Sequence, residues 1–211
     1  MKKGIIFDMD GTLWDSAENV AISWNIAIDK VGFQREPITK DDMYRVMGLT
    51  MDKIADLLFD GAKDEMKDEL LRVSCVEENE YLKAHGGVIY PDLRSTMEEL
   101  KGLGYHLYIV SNCQSGYIES FLDYYQFHDL FEDIECYGNN DKPKADNIAL
   151  VVERNALDAA VYVGDIQGDY DSSLKAGISF IHAAYGFGTI NACVPAIHSL
   201  KELPQLVGTV I

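Results

Sequence analysis

From residue 88 onward, short apolar runs alternate with amphipathic stretches, and this alternation constrains the fold more than any other feature of the chain. Residues 105–110, 134–137, 161–163 and 178–182 read as buried strands. Residues 93–100, 116–125, 145–155 and 169–176 read as helices, the first stopped by Gly102 and Gly104, the last by Gly177. Strand and helix in alternation predict a parallel sheet with helices on its faces. One further strand, 4–8, stands near the start and ends in an acid. Between it and residue 87 there is no strand signal: residues 17–31, 39–47, 50–59 and 62–84 all carry helical spacing. Ser16 is a candidate N-cap for the first of these helices, and Thr39 with Asp42 a candidate capping box for the second. The first strand must therefore pair with the later ones. The expected architecture is one α/β unit, residues 1–14 and 88–211, interrupted by an all-helical insertion over 15–87.

Charge and composition narrow the function. The 211 residues are 47% hydrophobic and 25% charged, the usage of an ordinary globular chain. A net charge of −17 repels phosphate backbones and argues against a nucleic-acid partner. No apolar run reaches bilayer-spanning length, and the start does not fit a signal peptide, so neither a membrane nor an export role is expected. Cys75, Cys113, Cys136 and Cys193 have no zinc spacing and read as reduced thiols of a cytoplasmic protein.

Four polar clusters fall at strand ends, where open α/β sheets bind ligands. The first is Asp8-Met9-Asp10-Gly11-Thr12. A bare Asp-x-Asp means little in a chain with this much aspartate, but here the pair ends a buried strand and a Gly-Thr turn follows. Two carboxylates there suit a divalent cation, or a nucleophile beside an acid/base; an Asx turn with a helix cap is the plainer alternative. The second, Ser111-Asn112, offers a hydroxyl and an amide for phosphate oxygens, or simply turn formers after a strand. The third is Lys142-Pro143-Lys144, from which one lysine could supply a fixed positive charge; a surface lysine is the plainer reading. The fourth, Gly164-Asp165 followed by Asp169, turns two carboxylates toward one spot above a strand end. Acids at a helix N-terminus are also favourable without any ligand.

Taken together in this order, the four clusters resemble the motifs of the haloacid dehalogenase superfamily of aspartate-nucleophile phosphatases. The resemblance covers nearly the whole chain. It extends to the helical insertion, similar to the α-helical cap of the phosphoglycolate-phosphatase-like and β-phosphoglucomutase-like branch, and to Tyr185-Gly-Phe-Gly188, similar to a loop after the last core strands. It implies a Rossmann-like parallel sheet core with an inserted all-α cap domain, and a Mg²⁺-dependent phosphatase acting on a small phosphorylated metabolite through an aspartyl-phosphate. A phosphoglycolate-phosphatase-like activity is one form of this. Carried over, Asp8 is the nucleophile and a metal ligand. Asp10 is the acid/base, with its backbone carbonyl on the metal, and Asp165 and Asp169 complete the metal site. Gly11, Thr12, Ser111 and Asn112 bind substrate. Lys144 is favoured over Lys142 as the catalytic lysine, because the Lys-Pro form of the motif usually has a second proline where Ala145 stands. A monomer or weak dimer is expected.

A phosphomutase is the nearest rival, but Val20 stands where such proteins usually carry a histidine. A non-enzymatic phospho-acceptor or binding module is disfavoured because no motif position is lost. The five histidines fit no motif. Cys113 could be oxidation-sensitive or merely fill space. Trp24, Met43, Met47 and Met51 read as core more than as a recognition patch. Gly86-Gly87, with 14–16 on the other connector, is the expected hinge of the insertion.

Overall fold

The computed structural model describes all 211 residues. Its elements, in chain order, begin with β1 (Lys3–Phe7), β2 (Trp14–Asp15), α1 (Ala17–Val31), α2 (Lys40–Val46), α3 (Met51–Leu58), α4 (Asp64–His85) and β3 (Val88–Ile89). Then follow α5 (Leu93–Gly102), β4 (His106–Ser111), α6 (Tyr117–Tyr125), β5 (Asp133–Cys136), α7 (Tyr137–Asn140) and α8 (Lys144–Arg154). The chain ends with β6 (Ala159–Gly164), α9 (Gln167–Ala176), β7 (Ser179–Ala183), β8 (Ala196–Ile197) and α10 (Leu203–Val207).

Six strands form one parallel sheet in the order β5-β4-β1-β6-β7-β8. The first strand does join the later ones: Ile5 pairs with Leu107 of β4 on one side and with Val161 of β6 on the other. Because β1 sits between them and every strand runs the same way, Asp8, Ser111 and Asp165 emerge at one edge of the sheet. That edge, where the chain order reverses, is where such sheets leave a crevice.

The strands are buried on both faces, and their alternation sorts the core. Ile6, Tyr108, Val110 and Tyr162 face Ile148 and Val151 of α8. Ile5, Phe7, Leu107, Ile109, Val161 and Val163 face the other way, into a core that runs without a break to Trp14, Val20 and Trp24. In the insertion, α1 packs on α4, and α4 packs in turn on α6. Trp14 is fully buried and meets the rings of Tyr117 and Phe121 edge-on at 5.6 and 5.0 Å.

Two local expectations need correction. Residues 14–15, read without a strand signal, do form a strand: Trp14 pairs with Ile89 and Asp15 with Val88 in a two-stranded antiparallel ribbon too short for a periodic signal. Ser16 does not cap α1 with its side chain. Asp15 Oδ1 accepts from the Ala17 amide instead, at 3.1 Å, and the Ser16 hydroxyl is used elsewhere. The Thr39–Asp42 capping box is present in full. Gly86 has a left-handed φ of 66° as α4 ends, and the Tyr125 hydroxyl holds both the amide and the carbonyl of Gly87.

Candidate active site

Asp8 follows β1 directly, and its amide continues the ladder to the Val163 carbonyl at 2.9 Å. The turn after it brings Gly11 against the end of β6. Gly11 has φ +81°, and a Cβ there would lie 2.1 Å from Asp165 Oδ2. From the other side, a Cβ on Gly186 would lie 2.3 Å from Asp165 Cβ. Asp165 is thus clasped between two backbone segments that only glycine allows this close. The Phe187 amide, in the same loop as Gly186, donates to Asp165 Oδ2 at 2.7 Å.

Lys144, the first residue of α8, reaches under Asp8. Its ammonium lies 2.9 Å from Asp8 Oδ1 and 2.6 Å from Asp169 Oδ1, and all three residues are almost wholly buried. Asp169 Oδ2 in turn accepts from the Asp165 and Ile166 amides. Both oxygens of Asp169 therefore help orient neighbours. Lys142 is exposed, two residues outside this network, where its carbonyl accepts from Asn147. Burial would lower the Lys144 pKa, but Asp169 and Asp8 override it and hold the ammonium charged. Asp8 is pushed up to about 7 by burial and the Asp169 charge, against the pull of Lys144.

Asp10 is in different company. Its Oδ1 accepts from the Ser16 and Tyr117 hydroxyls, each at 2.7 Å. Burial raises its pKa to about 6, and these two hydrogen bonds restrain the rise. Two neighbouring carboxyls thus sit in distinct settings, one paired with a cation and one with neutral donors, which is the arrangement that separates a nucleophile from an acid/base.

Ser111 ends β4 and lines a chamber with Asp10 and Asn112. The Asn112 amide nitrogen donates to the Gly48 carbonyl at 2.9 Å, which ties the β4 end to the insertion. Thr12 is buried with its hydroxyl unpartnered, and its carbonyl accepts from Tyr185. Burial pushes the Cys113 thiol well up, which disfavours its thiolate. Trp24, Met43, Met47 and Met51 belong to or pack against the core as expected, but they also line the chamber.

The residues present fit a divalent cation. Carboxylate oxygens of Asp8, Asp165 and Asp169 lie within 4.8 Å of one another. Asp165 Oδ1 is buried and has no hydrogen-bond partner. Burial and the charges of Asp169 and Asp8 lift Asp165 to about 8, so this corner holds more negative charge than Lys144 offsets. An all-oxygen set of this kind suits Mg²⁺.

The sequence profile of haloacid dehalogenase-like hydrolases matches residues 5–183. The chain belongs to that family. Among relatives of this haloacid dehalogenase-like hydrolase, the phosphoglycolate phosphatase of Aliivibrio fischeri is 27% identical over 199 residues, covering 88% of this chain and 85% of the relative. The phosphoglycolate phosphatase of Aquifex aeolicus is also 27% identical, covering 90% and 89%. By shape, the chain is similar to a structure from Bacteroides fragilis described as a haloacid dehalogenase-like hydrolase, with TM-score 0.82, 24% identity and coverage of 96% and 100%. It is also similar to CbbY from Rhodobacter sphaeroides in complex with phosphate, with TM-score 0.77, 20% identity and coverage of 96% of each chain. These two likenesses are of fold.

Sequence reasoning missed three polar residues of the candidate site. Ser16 resembled an ordinary helix cap. Tyr117 opened a helix with no motif around it. Tyr162 sat in an apolar strand, yet its hydroxyl donates to the Val110 carbonyl at 2.7 Å and lies 3.4 Å from Asp8 Oδ1. Only for Tyr162 was there a signal, a hydroxyl within a strand otherwise made of aliphatics.

Proposed function

We propose that the protein is a Mg²⁺-dependent phosphatase that hydrolyses a small phosphate monoester through an aspartyl-phosphate on Asp8. The observation that carries this is the division between Asp8 and Asp10. Every hydrogen bond to Asp8 falls on Oδ1, from Lys144 and Tyr162, which leaves Oδ2 free to attack. Asp10 stands apart, with a pKa of about 6 that lets it both give and take a proton near neutrality.

In this reading Asp8 attacks phosphorus, the ester P–O bond breaks, and Asp10 protonates the departing oxygen. Asp10 then takes a proton from a water that attacks the same phosphorus, which releases inorganic phosphate and restores the Asp8 carboxylate. Ser111, the Asn112 region and the amides around Gly11 and Thr12 hold phosphoryl oxygens, and Lys144 offsets their charge. Mg²⁺, held by Asp8, Asp165 and the Asp10 carbonyl, with Asp169 close by, would supply charge neutralisation for an anion attacking an anion. Residues 15–87 act as the cap that shuts water out. The protein works on a small metabolite in the cytoplasm, as a monomer or weak dimer. No helix is long and apolar enough to cross a membrane.

The test uses an aryl phosphate. Turnover should vanish in EDTA and return with Mg²⁺, and calcium should inhibit, because its looser coordination spoils in-line geometry. Asp8→Asn should fold, lose activity, and fail to bind beryllium fluoride. Full activity in EDTA, or in Asp8→Asn, overturns the proposal.

A further inference from the structure

The chamber next to Asp10 holds a buried acid that the chemistry above does not use. Glu78, in the middle of α4, is 4% exposed and accepts from the Trp24 indole N–H at 2.5 Å. The cavity around it, about 40 Å³, is walled by apolar side chains such as Val20, Met43, Met51 and Ile54. No lysine, arginine or histidine lines it.

The hydrogen-bonding character of the wall can be assigned from carbonyl groups, which only accept. Asn79 Nδ2 donates to the Ser115 carbonyl, so Asn79 Oδ1 is an acceptor. Gln114 Nε2 donates to that Oδ1 at 3.0 Å, so the unpartnered buried atom of Gln114 is its carbonyl oxygen. Asn112 Nδ2 is likewise spent on the Gly48 carbonyl, and its unpartnered buried atom is again the oxygen. The Tyr117 hydroxyl is spent on Asp10 and the Trp24 indole on Glu78. The indole and phenol donors of the wall are therefore committed, each amide has one N–H already spent, and the buried atoms left without a partner on Asn112 and Gln114 are acceptor oxygens.

We infer that this chamber takes a leaving group bearing hydrogen-bond donors, hydroxyl or ammonium, and rejects one bearing a carboxylate, with Glu78 as the residue that sets the preference. The inference rests on the phosphatase reading and adds the substrate class. A donor-bearing group satisfies the free acceptors. A carboxylate brings none, meets Glu78 and Asp10, and loses its hydration with no cation to replace it. The relatives named for phosphoglycolate are thus compared with a chain whose leaving-group side is built for the opposite polarity.

Three esters on one two-carbon skeleton test this: 2-hydroxyethyl phosphate, 2-aminoethyl phosphate and 2-phosphoglycolate. The full chain is assayed with Mg²⁺ at pH 8, above the value of about 7 to which burial raises Glu78. For the better of the first two, kcat/KM should exceed that for 2-phosphoglycolate by about 10², the scale of a like charge a few ångströms away in a partly dry site. Which of the two leads distinguishes hydroxyl from ammonium recognition. Glu78→Gln keeps the size and an acceptor for Trp24 but removes the charge, and should shrink that ratio by about tenfold. A purely structural Glu78 would slow all three esters equally, and an unmoved ratio overturns the inference. If Glu78→Gln does not fold, the unmodified panel still decides. An advantage below tenfold, or turnover of an aryl phosphate with none of the three, overturns the inference and leaves the phosphatase reading standing. No turnover of any ester, the aryl phosphate included, removes both.

Discussion

The Ser16 hydroxyl lies 2.8 Å from the Tyr117 hydroxyl, and both donate to the same oxygen of Asp10. With Asp10 ionised, both protons point at its Oδ1 and none lies between the two hydroxyls. With Asp10 protonated, the triangle must rearrange. The carboxylate is thus favoured by two donors that come from opposite sides, one entering the insertion and one on α6.

Tyr117→Phe removes one of these donors. A hydrogen bond to a charged group contributes about 1.5 kcal/mol or more, and one pKa unit is 1.36 kcal/mol. The Asp10 pKa should rise by about one unit from its value near 6. If Asp10 must be protonated to release the leaving group, the alkaline limb of kcat/KM moves to higher pH by that amount. An unmoved limb would separate Asp10 from that proton transfer.

Lys144→Ala should lower kcat by about 10² or more, the scale of one lost electrostatic contact in a water-poor site. It also leaves Asp8 and Asp169 buried without their cation, at about 3–5 kcal/mol, which denaturant unfolding without metal would record. Lys142→Ala should change kcat by less than about tenfold. The reverse ordering would move the role to Lys142 and leave the rest of the mechanism in place.

Metal binding should depend on pH in a fixed direction. Folded, Asp8 and Asp165 hold their protons up to about 7 and 8, against an ordinary value of 3.8. Between those values the folded protein binds more protons than the unfolded chain, so the contribution of these groups to stability falls as pH rises from 4 to 8. A divalent cation takes the ionised form. The gain in Tm from Mg²⁺ over EDTA should therefore be larger at pH 8 than at pH 6, and Asp165→Asn should remove most of it. Equal gains at both pH values would place the ion elsewhere.

Gly11→Ala tests the clasp around Asp165. The new methyl would lie 2.1 Å from Asp165 Oδ2, at a φ of +81° that alanine resists. Asp165 must move, so Mg²⁺ affinity should drop by about tenfold or more, the scale seen when groups that orient metal ligands are disturbed. Circular dichroism should stay unchanged. Unaltered Mg²⁺ affinity would mean that Asp165 is not a ligand.

Gly87 links the ribbon to the core through Tyr125, and its Cβ would lie 2.9 Å from the Trp14 ring. Gly87→Ala should shift kcat and KM together, as expected when a connector sets how the insertion closes. Unchanged kinetics would argue that the insertion stays still.

Much of this was written in local sequence. Apolar runs and glycine stops set the longer strands and helices to within a residue or two, while β2, β3, β8, α7 and α10 carried no such signal. The placing of acids at strand ends is a local property as well, because each follows its own apolar run. Gly11 reads locally as a turn residue and Gly186 as part of a loop; that Gly11 makes room for Asp165 is a contact across more than 150 positions. Ser16 shows the limit most clearly. As a string, serine before a helix is a cap, and only the approach of α6 turns its hydroxyl toward Asp10.

The sequence by itself determined the strand and helix periods, the helical stretch between β1 and the rest of the sheet, the acidic strand ends and the polar residues that stand at them. Tertiary structure decided which lysine reaches Asp8. Lys142 and Lys144 differ by two positions in one loop, yet the start of α8 turns one ammonium into a buried corner and leaves the other in water. It also decided the character of the chamber beside Asp10. Glu78 in an amphipathic helix reads as one more solvated acid, and nothing local says that Trp24, 54 residues away, donates to it. Periodicity records which side of an element faces inward, but what it meets there depends on the packing of segments far apart in the chain.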